Sequence, residues 1–152
     1  MKLLIENWRK FVNEEDQPKG ISYSAVMLDQ QSIEKLKKAF NNNKPENFVY
    51  EAKDYSLPHH MTITMGALEK YNQNYPVGEN ITLEVTGYGI SGDAMAISVK
   101  PPFDISEKIK QPHITFALPP GGKPFLSNKI ENWTPIDNTF SVTGIVKEVP
   151  NK

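Results

Sequence analysis

The sequence predicts an α+β domain. Segments that alternate apolar and polar residues outnumber amphipathic helical ones. They also do not take turns with helices along the chain, which argues against a doubly wound parallel sheet. No linker or low-complexity tail divides the 152 residues, a length that suits one domain.

The elements are these, in chain order. Residues 2–13 place Leu3, Leu4, Trp8, Phe11 and Val12 on one stripe of an amphipathic helix. That helix packs, through Trp8, on the body or on a partner chain. A polar stretch from Asn13 to Gly20 ends it. Residues 21–28 read as a strand that becomes more buried along its length. Asp29 or Ser32 caps the next helix, whose buried face is Ile33, Leu36 and Phe40. Asn41-Asn42-Asn43-Lys44-Pro45 stops it, and a loop runs to Pro58. Residues 59–65 form a strand. Residues 66–78 form a loop, where Tyr71 and Tyr75 either pack or stack on a ligand ring. Strands over 80–90 and 93–100 come next, then a break at Pro101-Pro102 and a short helix or turn over 104–110. Residues 112–118 and 139–149 are the remaining strands, separated by the Pro119-Pro120-Gly121-Gly122-Lys123-Pro124 loop.

Composition narrows the chemistry. Lys plus Arg number 17 and Asp plus Glu 18, a net charge of −1, so bulk positive charge does not drive nucleic-acid binding. There is no cysteine, which excludes disulfides, thiolate metal sites and thiol nucleophiles. Histidine occurs three times, at 59, 60 and 113. No apolar run is long enough to span a membrane. The start Met1-Lys2-Leu3-Leu4-Ile5 resembles a secretory leader, but Glu6 and Arg9 interrupt it. Two glycine patterns mislead. Gly87-Tyr88-Gly89-Ile90-Ser91-Gly92 spells a dinucleotide fingerprint, but a strand comes after it where a helix is required. Gly121-Gly122-Lys123 spells part of a phosphate loop, but Pro124 stands where Ser or Thr belongs.

The informative feature is an echo. Pro58-His59-His60-Met61-Thr62-Ile63-Thr64-Met65 resembles Gln111-Pro112-His113-Ile114-Thr115-Phe116-Ala117-Leu118. On a strand, side chains alternate between faces, so His60, Thr62 and Thr64 share one face, and His113 and Thr115 share another. Apolar residues fill the opposite faces. His59 alternates away from His60 and reads as a packing residue or a surface hydrogen bond. Two such strands around one cleft supply two imidazoles and two hydroxyls, a set suited to phosphodiester cleavage. One imidazole takes a proton while the other gives one, and the hydroxyls donate to nonbridging phosphate oxygens. No carboxylate accompanies either motif at ligand spacing, so neither a metal nor a cofactor is implied. Taken singly, each His-x-Thr is a common and uninformative pattern; the pairing gives it meaning.

Paired His-x-Thr motifs in a small cysteine-free α+β chain resemble the 2H phosphoesterase superfamily. Within it, the chain is most similar to the phage anti-CBASS phosphodiesterases. The similarity runs through Tyr23-Ser24-Ala25-Val26, both His motifs, the 119–124 loop and Gly144-Ile145-Val146-Lys147-Glu148-Val149, covering about residue 20 onward. The resemblance implies a bilobal fold, with two antiparallel sheet lobes around a central cleft and one His-x-Thr on each wall. It implies a metal-independent enzyme that cleaves 3′–5′ linkages of cyclic di- or trinucleotide immune signals in the cytoplasm. The catalytic set would be His60, Thr62, His113 and Thr115. It implies an aromatic on the first strand against a substrate base, here Tyr23, and an acidic residue near the end that orients an imidazole or bonds a base edge, here Glu148. Lys123 in its loop is a candidate phosphate contact, and Trp133 a candidate stacking lid, beside duller readings as an exposed lysine and a packing tryptophan. Two other functions compete. One is an RNA-repair enzyme that opens a terminal 2′,3′-cyclic phosphate; the other is a non-catalytic sponge for cyclic nucleotides.

Overall fold

In the structure, a computed structural model, residues 20–68 and 75–151 are described. Asp29 ends the first strand, β1 (Ile21–Leu28), and begins α1 (Gln30–Phe40). Its carboxylate accepts from the Ser32 amide at 2.8 Å, an N-cap worth about 1 kcal/mol. The Thr143 hydroxyl donates to the same carboxylate, and the Thr143 amide donates to Ser32 Oγ at 2.8 Å, tying the helix start to a distant strand. Leu36 and Phe40 of α1 are buried in the main core.

Five more strands complete the sheet: β2 (His60–Met65), β3 (Asn80–Ile90), β4 (Met95–Lys100), β5 (His113–Ala117) and β6 (Trp133–Pro150). They close into an antiparallel barrel in the order β1-β2-β5-β4-β3-β6. The expectation of a bilobal α+β fold with two open sheet lobes was therefore wrong. The cause is β6. It spans 18 residues instead of the segment 139–149 and pairs with β3 along one edge and β1 along the other. The remaining two edges, β2 and β5, meet at Met61–Ile114. Closure gives every strand a neighbour on both sides, which limits the open edge that is the usual liability of an open sheet.

One face of the ring is apolar. Val26, Met61, Ile114 and Ile97 lie side by side across four strands, each fully buried. Alternation turns His60, Thr62, His113 and Thr115 to the other face. That face carries small neighbours, Ala25 beside Thr62 and Ala96 beside Thr115. A second cluster of Leu57, Ala94, Ala96, Leu118 and Ile130, packed with Tyr55 and Trp133, lies on that side.

Alternation fails once in β2. The register steps from Ala25–Thr62 to Ser24–Thr64, so Ile63 is an inserted bulge residue. Thr64 moves onto the side of buried Ser24 and leaves the His60 face. The 104–110 segment is turn, not helix. Its Ser106 amide donates to the Ile63 carbonyl at 2.9 Å, supporting the bulge. The residues of the supposed fingerprint lie in β3 and in the tight turn to β4, as the sequence indicated. Gly89 is required there because a Cβ would fall 2.6 Å from Ile130 Cγ2 and 2.9 Å from the Trp133 ring.

Residues 124–129 form a 3-10 turn. The helix expected over 2–13, with Trp8, and Tyr71 lie outside the described residues. Among the described residues no helix is long and apolar enough to cross a membrane.

Candidate functional site

The site forms where β2 meets β5. The antiparallel register around Met61–Ile114 sets His60 across from Thr115 and Thr62 across from His113. Each imidazole thus faces the other copy's hydroxyl, and the echo becomes a local twofold. All four side chains are part-buried, each with an open edge. The Thr62 hydroxyl has no partner among the described residues. The Thr115 hydroxyl meets Ser127 Oγ at 2.8 Å. Ser127 is fully buried in the 124–129 turn, so that segment fixes the threonine's rotamer.

Aromatic rings frame the imidazoles. Tyr23 stacks on His60 with ring centres 4.9 Å apart. Tyr55 stacks on His59 at 4.3 Å and meets His60 edge-on at 5.5 Å. Trp133 lies tilted beside His113 at 6.2 Å. His59 is not turned away from the site. It precedes the first residue of β2, where alternation does not apply, and its Nδ1 lies 2.9 Å from His60 Nδ1. His113 Nδ1 lies 2.7 Å from the Gln111 carbonyl. A carbonyl only accepts, so His113 donates from Nδ1 and turns Nε2 away from that bond.

The electrostatics disfavour positive charge. Burial, then His59, then His113 push His60 down to about 3. Burial lowers His59 as well. Burial also lowers His113, against an opposing pull from the Gln111 carbonyl. His60 and His113 stand on neighbouring strands, one on each side of the Met61–Ile114 pair. Burial, then the neighbouring Tyr23 and Asp54, push Tyr55 up to about 12.

Stability should therefore depend on pH. Unfolded, His60 titrates near about 6.5. Between that value and about 3 the unfolded chain holds the extra proton. The stability that neutral His60 supplies is therefore complete above about pH 6.5 and falls as the pH drops toward 3. The urea midpoint should decrease between pH 7 and pH 4.5, and less steeply in His60→Gln. Parallel decreases in the two proteins would mean that His60 is not held neutral by the fold.

A cavity of about 690 Å³ opens beside His113, lined by Gln111, Ser127, Trp133 and the cations Lys110 and Lys129, with Glu131 also present. A larger one, about 1740 Å³, lies along Thr64–Gly66 and Pro101–Ile109, away from both imidazoles. The smaller one fits the chemistry, because only it contains a titratable group of the site.

The other sequence candidates divide. Tyr23 and Trp133 come to the imidazoles. Lys123 is exposed at the start of the 124–129 turn, where only its backbone carbonyl bonds, to Leu126. Glu148 sits opposite Ser24 on β6, and its carboxylate accepts from the Leu68 amide at 2.9 Å, so it holds backbone and orients no histidine. Tyr75 is core: its hydroxyl donates to the Phe103 carbonyl and accepts from the Phe103 amide at 3.2 Å. Sequence reasoning missed Tyr55, Ser127, Lys110 and Lys129 and misassigned His59. Only the adjacency of His59 to His60 could have raised suspicion; loop residues carry no period. Among the described residues, no three His, Asp or Glu side chains gather at ligand distance. Set against models of known families and against curated proteins, the chain matches none.

Proposed function

We propose that this chain is a 2H-type phosphodiesterase, a hydrolase that cleaves the 3′–5′ linkages of cyclic di- or trinucleotides and so removes the signals of CBASS antiviral defence. The observation that supports it is the square of His60, Thr115, His113 and Thr62 on one sheet face. A substrate ribose 2′-hydroxyl loses its proton to one imidazole as its oxygen bonds to phosphorus. The P–O5′ bond breaks, and the other imidazole protonates the departing oxygen. The hydroxyls donate to the nonbridging oxygens, where negative charge gathers. The product, a 2′,3′-cyclic phosphate, is then opened by water with the imidazole roles reversed.

The cyclic substrate is favoured by the aromatic rings. Tyr23 accompanies one imidazole and Trp133 the other. A cyclic dinucleotide presents two bases flanking its phosphates, and base stacking contributes roughly 1–3 kcal/mol each. A terminal RNA cyclic phosphate offers one base at the reacting end. Lys110 and Lys129 give the cavity positive charge despite a net charge of −1 for the chain.

The test is incubation with a panel of cyclic dinucleotides, and with a short RNA ending in 2′,3′-cyclic phosphate, with and without chelator. Linear and then cleaved dinucleotide should appear, at the same rate in chelator. Opening of the RNA end alone would assign the repair reaction, and tight binding without turnover a sponge. Loss of all cleavage in chelator, restored by a divalent cation, would end the two-imidazole mechanism.

A further inference from the structure

Both imidazoles of the site are tied back through Nδ1, but by partners of different kinds. His113 is held by the Gln111 carbonyl at 2.7 Å, two residues earlier. His60 is held by the His59 ring at 2.9 Å, one residue earlier. A carbonyl can only accept. An imidazole nitrogen can accept or donate, depending on its protonation.

We propose that His59 is a positioning residue that sets the tautomer of His60, so that His60 Nε2 faces the cleft as a lone pair and serves as the general base while His113 serves as the acid. This rests on the phosphodiesterase reading. When His59 is neutral and protonated at Nε2, its Nδ1 accepts from His60 Nδ1–H. His60 Nε2 is then bare and takes the 2′-hydroxyl proton. The imidazolium that forms keeps its Nδ1–H on His59 Nδ1. His113 takes the opposite role as the imidazolium: its Nδ1–H stays on the Gln111 carbonyl, which offsets part of what burial costs the cation, while Nε2–H goes to O5′ as the P–O5′ bond breaks.

The same contact makes the base sensitive to acid. If His59 takes a second proton, its Nδ1 must donate, His60 Nδ1 must accept, and the His60 hydrogen moves to Nε2. The lone pair in the cleft is then lost before His60 itself becomes charged. The groups facing the pair are Tyr55 and Tyr23 by ring contact, His113 across the cleft, and Asp54, whose charge reaches both tyrosines. Burial resists a proton on either ring.

Two variants separate this role from simple packing. His59→Phe keeps a ring against Tyr55 but removes the acceptor, and should lower kcat on the order of tenfold with KM little changed. His59→Asn restores an acceptor that cannot take a proton. It should recover most of that rate and move the acidic limb of the kcat profile to lower pH. A readout independent of turnover is the ¹⁵N shift pattern of His60. It should show hydrogen on Nδ1 in wild type and His59→Asn, and a shift toward Nε2–H in His59→Phe. If His60 keeps the Nδ1–H form in His59→Phe, the tautomer assignment is overturned, whether or not the protein cleaves cyclic nucleotides. If the ¹⁵N pattern is as expected and no cyclic nucleotide is cleaved, the phosphodiesterase reading falls and with it the assignment of His60 as base.

Discussion

His60→Ala and His113→Ala should each slow single-turnover cleavage of a cyclic dinucleotide by about 10²–10⁴. The two rings sit on neighbouring strands, one on each side of the Met61–Ile114 pair. In the proposed reaction they handle the two protons of one displacement, so neither is much use alone. The double variant should therefore be little slower than the worse single one, as for other residues that act as a unit. Multiplying effects would mean that the rings serve separate steps. The kcat/KM profile should be bell-shaped, with both limbs displaced to the acid side of the usual imidazole range, because burial lowers both groups.

The threonines come second. Thr62→Val and Thr115→Val each delete one donor to a phosphate oxygen without emptying the strand face, and should lower kcat by about 10²–10³. Their surroundings differ, and the variants should too. Thr62 acts without a partner among the described residues, whereas the Thr115 hydroxyl rests against buried Ser127. Ser127→Ala should then reproduce part of the Thr115→Val defect and leave Thr62 unaffected. Wild-type rates in both valine variants would reduce the hydroxyls to surface decoration.

The strand pattern was legible where burial differs between faces. The bounds expected for β1 and β3, 21–28 and 80–90, coincide with those observed: β3 alternates a wet side with a dry one, and β1 becomes more buried along its length. The His60–Thr62 and His113–Thr115 pairs were legible for the same local reason. The first part of β6 was not. Pro135, Asp137 and Asn138 are exposed and give it no alternation. Hidden with it was the closure of the barrel, since periodicity within a strand says nothing about which edges meet. Thr64 was misplaced by one bulge residue, which moves the rest of the strand to the other side. His59 was misplaced because alternation was extended one residue beyond the strand. Tyr55 and Ser127 reach the site from segments without a period, and only the folded chain brings them there.

The long β6 also governs when the candidate site is completed as the chain folds. β1 finds one of its two neighbours only in residues 144–150, more than a hundred residues downstream. Tyr23 stands on β1, so the ring stacked on His60 cannot be firmly seated until residues 144–150 have paired with that strand. Pairing over so large a sequence separation is slow to form. A growing chain therefore carries both imidazole strands before the candidate site is complete. A chain that stops short of β6 leaves β1 and β3 each with an open edge, and it is a target for aggregation or proteolysis.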